Sequence, residues 1–206
     1  MASFDPGYGE TEVSEEERAA LTPSALRVLG EPMLKAALYD IEQTLQDRVG
    51  SALIDEIRSG ALALGEVLSD HFVRDLHRRL YGDVWEWGGK FRLLQTNIGI
   101  APEQIAVQLR SEMDNLRYRW EEIHDLDPQT LGLLAHIAVV RIHPFVDGNG
   151  RATRLLADVV LAAAATGDAV RFDWDINRRA YIDALVHYDN SRDIAPLAEL
   201  VRVVPV

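Results

Sequence analysis

The residues equipped for chemistry crowd into one stretch, Ile142-His143-Pro144-Phe145-Val146-Asp147-Gly148-Asn149-Gly150-Arg151-Ala152-Thr153-Arg154, set between two apolar runs. Pro144 disfavours α geometry in the residue before it and has no N–H to continue a helical ladder, so His143 is expected at a helix terminus, facing a loop. In Asp147-Gly148-Asn149-Gly150 the glycines and the asparagine tolerate positive φ, leaving successive N–H groups to point into one concavity that suits phosphate oxygens. A helix starting at about Gly150 adds its unpaired N–H groups and positive dipole end to the same anion site. Arg151 and Arg154 share one face of that helix, so both guanidinium groups can reach a single polyphosphate. Asp147, a carboxylate beside bound phosphates, is the natural ligand for Mg²⁺, which takes one or two carboxylates together with phosphate oxygens and water. With phosphate clamped, an attacking hydroxyl must lose its proton, and His143, with an ordinary pKa of ~6.5, is suited to take it. Phe145 has no such chemistry and reads as an anchor in the core.

Helices must hold this stretch from both sides. Asp127-Pro128 caps a run through Ile142 that is apolar on nearly every face, with Leu131, Leu133, Leu134, Ile137, Ala138, Val139 and Val140, the pattern of a central helix. Leu155 to Ala165 is equally apolar and is expected to stop at Gly167, giving a second central helix. Ser14 followed by Glu15, Glu16 and Glu17 predicts a capping box and a short helix through Ala20, and Thr22-Pro23 opens another. Apolar residues from Leu34 to Ile57 recur at three and four, which predicts one long amphipathic helix. Ser69-Asp70 starts a helix with the stripe Phe72, Val73, Leu76 and Leu80, ending at Gly82. Pro102 starts one with Ile105, Val107, Leu109, Met113, Leu116 and Trp120 on its buried side, and Asn177–His187 and Ile194–Val203 complete the set. After an aromatic segment around Gly88-Gly89, Phe91 to Ala101 fits a helix poorly and Asn97-Ile98-Gly99 supplies turn chemistry. A short hairpin or irregular loop is expected there, the one place for β structure. Residues 1–14, rich in Gly, Glu and Ser, are expected to be a flexible arm.

Composition narrows the class. At 206 residues the chain suits one domain, and its 48% hydrophobic and 26% charged residues are the balance of an ordinary globular protein. No apolar run reaches the ~20 residues a spanning helix requires, and the first residues lack the basic and apolar regions of a secretory signal. No membrane association and a cytoplasmic location are the resulting expectations, with delivery to another cell left open. Without cysteine there is no disulfide, thiolate metal site or thiol nucleophile, so a metal must be held by oxygen or imidazole. The formal net charge of −12 argues against nucleic acid as a partner, although a nucleotide-sized anion can bind where arginines converge.

The residues from His143 to Arg154 resemble the signature of the Fic family, His-x-Phe-x-(Asp/Glu)-Gly-Asn-Gly-Arg-x-x-Arg, at every specified position. With the flanking helices, the resemblance extends over a core of about residues 69–200, within a single domain of 15–206 that carries an N-terminal helical extension. It implies an all-α, mostly helical fold with a short β-hairpin flap, and a protein adenylyltransferase, a nucleotidyltransferase that moves AMP from ATP to a Tyr, Thr or Ser hydroxyl of a target protein. In that reading His143 is the catalytic base and Asp147 the Mg²⁺ ligand, Gly148, Asn149 and Gly150 form the anion hole, and Arg151 and Arg154 hold the β- and γ-phosphates. Leu93, Leu94, Gln95, Thr96, Asn97 and Ile98 fall where the family has its flap, which aligns the target by strand addition. Tyr181, in Arg179-Ala180-Tyr181-Ile182-Asp183-Ala184-Leu185, is similar to the family's segment beside the nucleotide base.

The run from Leu76 to Trp87 together with Asn97-Ile98-Gly99 further resembles the mobile mystery protein B branch, a bacterial group, which implies a toxin-like role. Many family members carry an inhibitory helix with the pattern (Ser/Thr)-x-x-x-Glu-(Gly/Asn), and this chain has no Glu-Gly or Glu-Asn dipeptide. The expected inhibitor is therefore a separate antitoxin protein, the alternatives being no regulation at this level or a divergent glutamate such as Glu42 or Glu199. Two other activities stay open: transfer of a different phosphate-containing group, such as phosphate or UMP, and a non-catalytic nucleotide-binding module of a toxin–antitoxin pair. Gly150 stands against phosphate transfer of the Doc type, because that branch resembles Asn-Lys-Arg where this chain has Asn149-Gly150-Arg151.

Overall fold

A computed structural model describes residues 11–166 and 169–205. Its centre is a pair of helices, α7 (Pro128–Ile142) and α8 (Asn149–Ala164), packed on each other and joined by the chemistry-bearing stretch. Both bury nearly all their apolar residues: Leu131, Leu133, Ala135 and Ile137 of α7, and Leu156, Ala157, Val159 and Val160 of α8, are almost fully enclosed. Each fully buried Leu, Ile or Val contributes roughly 1.5–3 kcal/mol, so the helices that hold the site are also the ones packing fixes most firmly.

Around this pair, α6 (Ile105–Tyr118) packs on α7, while α3 (Lys35–Arg58), α4 (Leu64–Val67) and α5 (Asp70–Tyr81) pack on α8. The small helices α1 (Glu15–Ala19) and α2 (Pro23–Leu29) precede them, and α9 (Arg178–Ser191) and α10 (Ala195–Leu200) follow. Helix starts fall where side-chain chemistry predicts them. Ser14, Thr22, Ser69, Asp127 and Asn177 each accept a hydrogen bond from a first-turn amide of their helix, and Ser14 and Glu17 form the expected reciprocal box.

The mostly helical class stands, with one two-stranded antiparallel sheet among the described residues, but the strands lie elsewhere than expected. They are β1 (Val170–Phe172) and β2 (Val203–Pro205), pairing Val170 with Pro205 and Phe172 with Val203. The segment 91–101 is a loop with a single bridge, Phe91 to Phe145, and the carbonyls of Leu94 and Ile100 are taken up by the Arg92 side chain rather than by a second strand.

Other expectations are also corrected. Residues 11–14 are not a free arm: Val13 N donates to Met33 O at 2.8 Å, Lys35 N to Thr11 O at 2.9 Å, and Val13 is buried. Residues 1–10 lie outside the described residues, as does Gly167; α8 ends earlier, at Ala164. Val107 is 72% exposed, since it sits two residues from Ile105 and Leu109 and faces away from the stripe they bury. No helix among the described residues is long and apolar enough to cross a membrane.

Candidate active site

His143 ends α7. Its amide still donates to Val139 O at 2.9 Å, but its backbone turns left-handed, φ 51, which an L side chain adopts at a cost of roughly 1–2 kcal/mol. That turn, imposed next to Pro144, throws the chain into the loop. The loop is then locked from inside. Phe145 is 1% exposed and lies flat on the ring of His77, centroids 3.6 Å apart. Asn149 is buried, and its side chain accepts from Phe145 N at 3.0 Å and donates to Phe145 O at 2.9 Å. His77, fully buried on α5, accepts from Gly89 N at Nδ1 (2.9 Å), so Nε2 carries the proton and donates to Asp147 O at 3.0 Å. Burial pushes the His77 pKa down to about 4, keeping it in that neutral, two-sided role. The His143 ring, half-buried, is also held below the ordinary histidine range, by burial first and the Arg92 guanidinium second, against an opposing pull from Asp147.

At the start of α8 the expected run of left-handed residues reduces to one. Gly148 alone of the four turn residues has positive φ, 74, while Asn149 and Gly150 are already helical. A Cβ on Gly148 would also meet the Tyr81 ring at 2.5 Å, so both conformation and space require glycine. Ala152 N is the first amide to bond back within this turn, to Gly148 O at 3.0 Å, which leaves the amides of residues 149–151 at the open helix end beside the exposed Asp147. Asp147 uses Oδ1 to accept from Gly148 N at 2.7 Å.

The two arginines differ. Arg151 donates to Glu42 of α3 at 2.5 Å and lies over the Tyr81 ring at 5.2 Å, while Glu42, 5% exposed, also accepts from Trp85 Nε1 at 2.7 Å. The Arg154 side chain makes no hydrogen bond or ion pair among the described residues. Of the two glutamates considered for inhibition, Glu42 thus lies on the first motif arginine, and Glu199 sits exposed on α10.

Comparison with known proteins agrees with this geometry. The model of the Fic/DOC family matches residues 67–161, the span from the end of α4 through most of α8. Residues 67–161 form a Fic/DOC family domain. The chain is 32% identical over 135 residues to protein adenylyltransferase fic-1 of Caenorhabditis briggsae, covering 63% of this chain and 25% of that protein. It is 39% identical over 95 residues to protein adenylyltransferase Fic of Drosophila erecta, covering 45% and 19%. The chain therefore spans a quarter or less of the length of these curated relatives. Among solved structures, Fic-1 (residues 134–508) of Caenorhabditis elegans superposes with a TM-score of 0.54 at 25% identity, covering 74% of this chain and 45% of that one. BepC of Bartonella tribocorum, solved with bound AMPPNP, superposes with a TM-score of 0.53 at 17% identity over 80% and 88%.

Within and beside the Fic domain the remaining predicted residues divide. Tyr181 of α9 shares a 2.8 Å hydrogen bond with the buried His136 of α7, and the Arg154 charge bears on both rings. Leu93, Leu94, Gln95, Asn97 and Ile98 are exposed on the loop and Thr96 is partly covered, its hydroxyl donating to Ile98 O at 2.5 Å. Sequence reasoning did not assign Arg92, His77, Tyr81 or His136 to the site. His77 and Tyr81 do carry a signal, since they extend the buried stripe of α5, where an ionisable ring is out of place unless partnered.

Proposed function

We propose that this protein is an adenylyltransferase that moves AMP from ATP to a hydroxyl side chain of a target protein and releases pyrophosphate. The observation that carries the reading is the joint between α7 and α8: a neutral histidine and an open helix N-terminus with two arginines, brought to one loop and locked there by Phe145, Asn149 and His77. It is supported by relatives that are named protein adenylyltransferases, and by proteins of the same fold solved with AMPPNP and with ADP.

In this reading the amides at 149–151 and the side chains of Arg151 and Arg154 hold the polyphosphate, with charge stabilisation supplied by groups already in place. Arg154 enters without exchanging a partner, whereas Arg151 must trade Glu42 for phosphate. His143 takes the proton of the target hydroxyl as its oxygen bonds to the α-phosphorus; the bond from that phosphorus to the bridging oxygen breaks, and pyrophosphate leaves. Asp147 fits Mg²⁺ as an exposed carboxylate beside the anion site. Mg²⁺ usually shares its coordination sphere with phosphate oxygens and water rather than a protein cage, and when bound it would neutralise polyphosphate charge. Asn149 contributes its backbone amide, its side chain being committed to Phe145. Tyr181 borders the nucleotide site on the Arg154 side, the loop residues 93–98 carry the target, and a separate antitoxin remains our candidate for external control.

The test is incubation of the purified protein with a cell lysate, Mg²⁺ and ATP labelled at either the α- or the γ-phosphate. Protein should take up α label only, and His143→Ala should abolish it. Uptake of γ label would replace adenylyl transfer with phosphate transfer, and α label that survives His143→Ala would remove the assigned base.

A further inference from the structure

The loop from 92 to 101 is built around one buried cation. Arg92 is 3% exposed, yet among the described residues it enters no ion pair. Its guanidinium donates to main-chain carbonyls instead: Nε to His143 O at 2.8 Å, Nη1 to Leu94 O at 2.9 Å, and Nη2 to Ile100 O and, at 3.5 Å, to Ile142 O. Its own amide donates to Pro144 O at 2.9 Å. These carbonyls belong to two different structures. Those of Ile142 and His143 lie at the end of α7, where carbonyls lack helical partners and the dipole favours a cation. Those of Leu94 and Ile100 flank the exposed tip of the loop. A planar fork of five donors can serve both at once, whereas a lysine ammonium, a point charge with three donors, can reach only part of the set.

A second contact joins the same two structures. At Gly99, φ is 88, and a Cβ would meet His143 Cβ at 2.6 Å, Arg92 Nη2 at 2.9 Å and Ile142 O at 2.9 Å. The loop therefore returns onto the His143 backbone with no room for a side chain, and Ile100 N completes the junction by donating to Ile142 O at 3.3 Å.

We propose that Arg92 is a positioning residue that fixes the 93–101 loop and the His143 backbone as one unit, so that a hydroxyl carried by a target on the loop arrives in register with the base. The inference rests on the adenylyl-transfer reading. Arg92 touches no reacting atom; it sets the distance between two parts that do. A misplacement of about 1 Å between reacting groups costs roughly 100-fold in rate, which sets the size of the effect.

The experiment compares native protein with Arg92→Gln, Arg92→Lys and Gly99→Ala. Three quantities are read: ATP affinity by calorimetry, the KM for ATP and the kcat for labelling lysate proteins from α-labelled ATP, and amide hydrogen exchange across 93–101. In Arg92→Gln the expected result is ATP affinity and KM within twofold of native, kcat lower by about 100-fold, and loop exchange faster by at least tenfold, with Arg92→Lys recovering part of each. If Arg92→Gln does not fold, Gly99→Ala disturbs the same junction from the loop side without uncovering a buried charge, and the same split is expected. Loop exchange that rises while kcat stays within twofold of native would overturn the proposal, as would loop exchange that does not change. Should native protein transfer no α label, the adenylyl reading fails by itself. The junction is then still decided by whether Gly99→Ala shifts the His143 ring signals in NMR, and unshifted signals would overturn it.

Discussion

The base proposed here, His143, can act only in its neutral form, and its surroundings favour that form. Burial and the nearby Arg92 cation both disfavour imidazolium, and the Asp147 carboxylate only partly opposes them. A depressed pKa keeps the ring unprotonated to more acidic pH than a free histidine would allow, so the acidic limb of the labelling rate should lie below ~6.5. A rate profile measured from pH 5 to 8 whose acidic limb fell at or above 6.5 would contradict this placement. Gly148 carries a comparable demand, since an alanine there meets both a positive φ and the Tyr81 ring. Gly148→Ala should lower stability by about 1–3 kcal/mol in urea unfolding and weaken ATP binding at least tenfold by displacing the first turn of α8. At this scale the sequence reveals residue types but not orientation. Asn149 looks like an anion ligand, yet its amide side chain points inward to pin Phe145, a commitment that depends on the loop's own path.

Elements whose ends are written in local chemistry are legible in the sequence, and elements closed by distant partners are not. The caps at Ser14, Thr22, Ser69, Asp127 and Asn177 each lie within three residues of the amide they serve, so the helix starts can be read directly. The β1–β2 pair joins three-residue segments from opposite ends of α9 and α10, too short to show alternation, and the 91–101 loop is decided by a guanidinium whose partners include carbonyls at 142 and 143. The pairing of α3 with α8 through Glu42 and Arg151 is equally non-local, and it has two opposed consequences. Glu42 occupies Arg151, which under the proposed function it must release to phosphate, and it also satisfies the buried indole N–H of Trp85. Glu42→Ala should therefore bind ATP more tightly while losing about 1–3 kcal/mol of stability, the usual penalty for an orphaned buried donor. Calorimetry and thermal unfolding of the same variant read the two effects; ATP affinity that weakens would assign Glu42 to holding Arg151 in place rather than occupying it.

Across the whole molecule, the central helices owe their rigidity to a core that has admitted two histidines as neutral groups. His77 and His136 are both fully buried, and burial pushes each pKa from 6.5 down to about 4. His77 spends both nitrogens on backbone partners, whereas His136 bonds Tyr181 through Nε2 and its Nδ1, near the Thr153 carbonyl, has no hydrogen bond of normal geometry. Neither can accept a second proton without losing a partner or carrying an unsolvated charge, so the unfolded chain takes up protons first as pH falls. Stability is thus complete above ~6.5 and declines as pH drops toward 4, by about 2 kcal/mol for each histidine between pH 7 and pH 5. Asp158 works in the opposite sense. Burial raises its pKa to about 6 despite hydrogen bonds from Phe172 N and Trp174 Nε1, so protonation below that value favours the folded form and returns about 1 kcal/mol over the same interval. The net expectation is a loss of roughly 2–3 kcal/mol from pH 7 to pH 5, a measurable fraction of the ~5–15 kcal/mol typical of a folded domain. Urea unfolding at the two pH values measures it directly, and a stability that held constant or rose toward pH 5 would mean that these histidines are not neutral members of the core.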